Sequence, residues 1–312
     1  MKGRPTRAWR LLQNRLFLAA CLAGTSLAVV ALLLLIGSVA SQGAGGLGRW
    51  SFFTNFASSR PGQAGIRAPL AGSVWVCATC MAISLPLGVA TALYLEEFAA
   101  RSRWSRLVEL NVRNLAGVPS IVYGIIGLTA FGRMFGLFGS QVEPTELHLP
   151  WGLTTLRLPL GTSVLAGGLT LMLVILPIII IASQEALRAV PRGLRESSLA
   201  LGATKWQTTW GVVLPTAAPT ILTGSILALS RAIGEAAPLI VLGVPLFINS
   251  TPGGLSDAFT VLPQQIYNWA SRPQAAFHEL AASGIIVLLA VLLSFNALAI
   301  FLRHRLQRGL AS

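Results

Sequence analysis

The chain has 312 residues, 54% of them hydrophobic and only 11% charged, and its 23 basic and 10 acidic side chains give a formal net charge of +13. Soluble globular proteins carry about 25% charged residues, so this composition excludes an ordinary water-soluble domain and makes a bilayer the expected solvent. A basic excess also suits nucleic acid, and the placement of the charges along the chain decides between the two.

A helix needs about 20 apolar residues to cross about 30 Å of hydrocarbon. Six windows qualify, over residues 16–40, 70–95, 115–138, 161–181, 221–242 and 280–302, and together they predict an all-α integral membrane protein with six transmembrane helices. The first window follows Lys2, Arg4, Arg7, Arg10 and Arg15 and ends in Ser38-Val39-Ala40, features that a secretory signal shares. Its apolar run is much longer than the roughly 7 to 15 residues of a signal core, so a retained anchor is expected. Segment 41–69, rich in Gly and Ser, reads as irregular. Between windows three and four, Leu147, Leu149, Leu156 and Leu158 alternate around Trp151-Gly152, which predicts a small hairpin lying on the membrane over 147–159.

Lys and Arg concentrate in loops that remain in the cytoplasm. With the N-terminus inside, sixteen basic residues fall on that side: the five already named, Arg101, Arg103, Arg106, Arg113, Arg188, Arg192, Arg195, Lys205, Arg303, Arg305 and Arg308. Arg49, Arg60, Arg67, Arg157 and Arg272 fall outside, while Arg133 and Arg231 lie at or within spans. Both termini are therefore expected on the cytoplasmic side, and the basic charge is explained without nucleic acid. Cys21, Cys77 and Cys80 lie in apolar stretches, so no disulfide framework is expected; Cys77 and Cys80 have no second Cys pair or nearby His to complete a metal site. His148, His278 and His304 are scattered, and no metal or cofactor is expected on the chain.

The sharpest local signal lies between windows four and five. Pro191 favours the first turn of a helix, Gly202 suits a left-handed helix ending, and Thr204 with Gln207 fits a capping box, so two short helices with a tight elbow are predicted. Pro215 and Pro219 are expected to interrupt the chain before the fifth span. A rigid helix presenting Glu196 between flanking charges suits docking into a soluble partner, although a merely solvated loop fits the same local chemistry. In the fifth window Arg231 and Glu235 are four residues apart and would share one helix face. A charge at the bilayer centre costs about 2.5 to 3.5 kcal/mol on insertion scales, so such groups face protein or an aqueous cavity. Arg231 offers a planar fork of donors suited to an oxyanion, and Glu235 can hold it in place or accept a proton. An architectural ion pair against a second subunit is the competing reading. Gly234 and Pro238 loosen the backbone there, as expected beside a cavity. Arg133 reads as an interface anchor, and the 117–124 run as a close helix-packing surface.

Glu196, Gly202, Leu214 and Pro215 stand at the spacing of the EAA loop of bacterial ATP-binding-cassette importer permeases, which this stretch resembles. Ser197 and Ser198 replace the two alanines of that pattern, and Val212 its isoleucine. Further runs sharpen the resemblance to the phosphate-importer permeases of the PstA family over about residues 70–302: Glu185-Ala186-Leu187-Arg188-Ala189-Val190-Pro191, Gly117-Val118-Pro119-Ser120-Ile121-Val122-Tyr123-Gly124, Arg231-Ala232-Ile233-Gly234-Glu235-Ala236-Ala237-Pro238-Leu239 and Gln265-Ile266-Tyr267-Asn268-Trp269-Ala270. The resemblance implies a MetI-like permease fold and an ATPase-coupling role for Glu196, Ser197, Ser198, Gly202, Leu214 and Pro215. The charges in the fifth window, read on their own chemistry, place the substrate pathway at Arg231 and Glu235. The implied partners are a second, PstC-like permease subunit, two PstB-like ATP-binding subunits that hold ATP and Mg, a PstS-like extracytoplasmic phosphate-binding protein, and phosphate itself. The chain then divides into residues 1–69, a permease core over 70–302 with the coupling loop at 185–215, and a basic tail over 303–312.

No phosphate-binding loop is present, since the only lysines are Lys2 and Lys205 and neither follows Gly. Neither a His-Glu-x-x-His zinc helix nor a Gly-x-Ser-x-Gly elbow occurs, so the chain is expected to be a transport subunit rather than an enzyme. Three alternatives remain at this level: a permease for another oxyanion such as molybdate or sulfate, a secondary transporter driven by an ion gradient, and a passive scaffold.

Overall fold

A computed structural model of the chain describes residues 7–99, 102–134, 145–148 and 155–311. Five of its helical stretches are long and apolar enough to cross a membrane: Leu11–Leu47, Arg67–Phe98, Val164–Arg188, Lys205–Gly234 and Ala275–Arg305. Counting the bent pair Arg103–Leu115 and Ser120–Gly132 as one span gives six, so the protein is a multi-pass membrane protein with five to six spans, in line with the six expected.

In chain order the elements are α1 (Arg7–Leu47), α2 (Trp50–Thr54), α3 (Arg67–Leu93), α4 (Arg103–Leu115), α5 (Ser120–Gly127), β1 (Thr145–His148), β2 (Thr155–Leu158), α6 (Val164–Arg188), α7 (Arg192–Ala200), α8 (Lys205–Thr208), α9 (Leu214–Gly234), α10 (Ala237–Leu242), α11 (Leu262–Ala270) and α12 (Ala275–Ala311). The two strands pair antiparallel with Thr145 opposite Leu158, so a hairpin does form in the predicted loop. An isolated antiparallel bridge between Ser163 and Ala258 is the other departure from helical structure among the described residues. Segment 41–69 is more regular than its composition suggests, because α1 runs on to Leu47 and α2 and a short helical turn at Pro61–Gln63 follow.

Helix α6 is the hub, with α3 and α9 against it along its length and α5 at the end distant from the elbow. Its Ile175 and Ile179 are fully buried with Val76 and Cys80 of α3 and Ala228 and Ala232 of α9. In hydrocarbon, helices gain little from apolar burial against one another, so small residues that allow close approach do much of the packing. A Cβ on Gly88 would come within 2.6 Å of Ile179, and one on Gly224 within 2.5 Å of Ala182. Cys77 and Cys80 are buried in α3 as free thiols.

Two spans differ from the windows. The third is no straight helix from 115 to 138, since α4 ends at Leu115 and meets the stretch Ser120–Gly132 at 104°. Pro119 precedes that stretch in an extended conformation, with ψ of 134°, and the residue before a proline avoids helical backbone too. Residues 135–138 lie outside those described. Within α5 the close approach is at Gly124, where a Cβ would lie 2.8 Å from Pro238 of α10, and at Gly127 against Thr170 of α6; Gly117 makes no comparable contact. The fifth span is the continuous stretch Lys205–Gly234, and the chain breaks at Glu235 before α10, so the expected 221–242 window spans a discontinuity.

Pro215 and Pro219 do not interrupt the fifth span. Pro215 occupies the first turn of α9, and Pro219 is carried inside it. A wide turn over Thr209–Val213, with i→i+5 bonding, precedes them. Such turns absorb irregular backbone without ending a helix. A second wide turn, Tyr94–Phe98, closes α3 at the same end of the bundle.

Candidate functional site

The elbow is built as the local chemistry dictates. Helix α7 ends in a residue with positive φ, Gly202 at +87°. The Ala203 N–H donates to Ser198 O at 3.2 Å and the Gly202 N–H to Leu199 O at 3.0 Å, the two bonds of a Schellman ending. Helix α8 then opens with the predicted box: Thr204 Oγ1 accepts from the Gln207 N–H at 3.3 Å, and Gln207 Oε1 accepts from the Thr204 N–H at 2.8 Å. Pro191 sits one position earlier than expected, at the N-cap rather than in the first turn. The Ser198 and Thr208 hydroxyls, 2.9 Å apart, join α7 to α8 across the bend.

Arginines lock this elbow to the ends of two spans. Arg195 Nη1 donates to Val190 O and Nη2 to Leu187 O, each at 2.7 Å; this gives Val190 O a partner where α6 ends and adds to the Val190 N–H bond that Leu187 O already accepts. The same guanidinium meets Glu97, at the end of the α3 span, at 2.9 Å. Arg188 forks onto Glu96 at 2.9 and 2.5 Å and reaches Glu109 of α4 at 2.8 Å, while Gln184 adds a bond to Glu96 at 2.9 Å. Glu109 lies on α4 and also accepts from Arg113 Nη2 at 2.8 Å. A polar depression of about 740 Å³ between Glu96, Glu97, Arg192 and Glu196 borders α7.

What the elbow presents is partly apolar. Glu196 and Ser197 are exposed on α7, as expected, and Ser198 is half-buried. Leu201, at the tip, is 89% exposed, and Leu194 and Leu199 are exposed beside it. Sequence reasoning named the acidic and glycine positions and missed these leucines; a leucine inside a polar turn, next to the glycine that ends a helix, was the available signal. Leu214 and Pro215 lie at the base of α9, Leu214 packed against the Leu93, Leu187 and Val213 cluster, and are not part of this exposed surface.

The second charged feature lies midway along the bundle, on its exposed side. Gly224 abuts Ala182 of the antiparallel α6, and following both helices from residue 224 to 231 brings Arg231 roughly level with Ile175, near the middle of α6. Glu235 does not share a helix face with Arg231, because α9 has ended and Glu235 is extended, with φ −81° and ψ 113°. Its carboxylate folds back to accept from Arg231 Nε at 3.3 Å. The Arg231 side chain is 51% exposed and that of Glu235 18%. No other bond to Arg231 occurs among the described residues. Thr216, Thr220, Leu227, Arg231 and Gly234 form one exposed stripe along α9.

Residues 84–312 match the family described as binding-protein-dependent transport system inner membrane component. The probable ABC transporter permease protein YqgI of Bacillus subtilis is 33% identical over 61% of this chain, an alignment that spans only 57% of that relative's own length. The phosphate transport system permease protein PstA of Mycobacterium leprae is 31% identical, with 98% of this chain and 94% of that one covered. Among solved structures, a chain of a bacterial alginate ABC transporter, crystallised in complex with its alginate pentasaccharide-bound periplasmic protein, superposes with a TM-score of 0.64 at 19% identity, over 96% of this chain and 98% of that one.

Proposed function

Because the chain belongs to the family of inner membrane components of binding-protein-dependent transport systems, we propose that it is a permease subunit of an ATP-driven inorganic phosphate importer. It supplies half of the transmembrane pathway and takes its energy from separate ATPase subunits. Substrate identity rests on the relatives named as phosphate transport permeases, in Mycobacterium leprae and in Yersinia pestis, the latter 28% identical over 95% of this chain. The elbow faces the cytoplasm, where the basic loops gather, and the β-hairpin lies on the outer side.

The observation that carries the pathway is the exposure of Arg231 at mid-span with four of its five N–H donors unspent. Lipid is a costly neighbour for that group, so the α9 stripe faces a second permease subunit or the aqueous cavity between the two. A guanidinium steadied by one carboxylate, with its terminal nitrogens free, is suited to a hydrogen-bonded phosphate. ATP binding closes two partner ATPases around the elbows of this subunit and its PstC-like partner. The motion passes through Arg195 and Arg188 into α3, α4 and α6, and the cavity beside Arg231 opens to one side or the other. Phosphate arrives on an extracytoplasmic binding protein.

Labelled-phosphate uptake into proteoliposomes holding the assembled complex tests this. Arg231→Gln abolishes uptake while the complex still assembles, and Glu196→Lys leaves ATP hydrolysis that no longer drives uptake. Wild-type uptake in both variants rejects the proposal.

A further inference from the structure

At the elbow end of the bundle, on a different side from the Arg231 stripe, an apolar crevice of about 770 Å³ opens between α3 and the base of α9. The two wide helical turns, Tyr94–Phe98 and Thr209–Val213, form its rim, because the extra residue in each swings large side chains out of the regular helical array. Trp206 packs against Phe98 with ring centroids 5.8 Å apart and against Trp210 at 5.4 Å. Tyr94, Trp206 and Trp210 are nonetheless largely exposed. The Lys205 ammonium stands at the mouth, 5.5 Å from the Phe98 ring. Among the described residues it has no carboxylate partner, because Glu96 and Glu97 turn instead toward Arg188 and Arg195.

These features identify the occupant. Aromatic rings with a polar edge collect where the hydrocarbon meets the headgroups. A cation beside an apolar slot at that depth matches a molecule with an anionic head and a hydrocarbon tail. The face is not the one offered to a second permease. From Leu214 to Arg231, at about 100° per residue, the helix turns to a direction about 100° away, so a subunit on the Arg231 stripe leaves the crevice open. We infer that the crevice is a site for an anionic phospholipid, one acyl chain lying between α3 and the base of α9 and the headgroup phosphate meeting Lys205. The lipid fills the space behind α8 and so holds the elbow against the end of α3.

The site is tested on the purified, reconstituted complex by quenching of tryptophan fluorescence with phospholipids brominated in the acyl chain. The component from Trp206 and Trp210 is isolated by difference from the Trp206→Phe, Trp210→Phe complex. One lysine near an anionic headgroup corresponds to roughly a fivefold preference. Brominated phosphatidylglycerol therefore quenches this component at about one fifth of the mole fraction that brominated phosphatidylcholine needs, and Lys205→Gln removes the difference, whereas Arg103→Gln, an exposed cation elsewhere, preserves it. Equal quenching by the two lipids, a preference that survives Lys205→Gln, or no quenching by either, as when a protein fills the crevice, overturns the inference. The assay reads lipid alone, so its outcome is separate from whether the complex carries phosphate.

Discussion

Arg195 and Arg231 are the same residue put to opposite uses. At the elbow, Arg195 is 22% exposed and bonds two helix-end carbonyls and Glu97, leaving little capacity for anything else. In mid-span, Arg231 makes one bond at 3.3 Å to a glutamate on a broken piece of backbone and leaves its fork open. A guanidinium bonded on every side to its own chain is a brace, whereas one that keeps its donors unspent is what the proposed pathway requires of Arg231. The elbow is accordingly tied down by many bonds and the mid-span pair by one, the contrast that the proposed lever and binding surface call for.

The contrast can be broken most sharply at Arg231. Arg231→Lys keeps the charge but loses the planar fork, and phosphate uptake by the complex falls by tenfold or more while thermal unfolding is almost unchanged. Uptake at the wild-type rate removes the claim that the fork meets substrate. The reverse pattern is expected for Arg195→Ala, which leaves Glu97 and the Val190 carbonyl without a partner. It lowers stability by about 2 to 3 kcal/mol, less than the loss of a fully buried pair because the group is partly solvated. The cycle with Glu97→Gln, followed by thermal unfolding, shows strong coupling between the two sites. Gly202→Ala is smaller. No atom crowds that position, so the cost is the left-handed backbone alone, about 1 kcal/mol, seen as looser coupling of ATP hydrolysis to uptake. Smallest is Arg113→Ala, which removes an exposed ion pair one helical turn from Glu109 and costs less than about 0.5 kcal/mol in the same unfolding assay.

Local chemistry made the elbow legible. A glycine that ends a helix and a Thr-x-x-Gln box act within a few residues of themselves, and Gly202, Thr204 and Gln207 stand as read. The number of spans was legible for the same reason, since hydropathy is a property of a window. What escaped depends on groups far apart in sequence. Glu97 and Arg195 meet only because α3 and α6 end at one level, and nothing in either neighbourhood announces it. The breaks at Leu115 and Glu235 escaped because a hydropathy window runs straight across a bend, and the prolines of α9 misled because a wide turn before them absorbs what a regular helix cannot. Arg231 and Glu235 were paired correctly on a mistaken premise: the helix they were to share has already ended, and the carboxylate folds back to close the gap.

The proposed coupling requires the elbow to meet a motor. In the complex freed of its native cysteines, Leu201→Cys places a single thiol on the most exposed apolar side chain of that surface, for a short bifunctional thiol reagent to join to a cysteine introduced along the facing groove of the ATP-hydrolysing subunit. The expected result is a covalent adduct whose yield changes when ATP is bound and not hydrolysed. No adduct with any position of that groove, in a complex that still takes up phosphate, would contradict it.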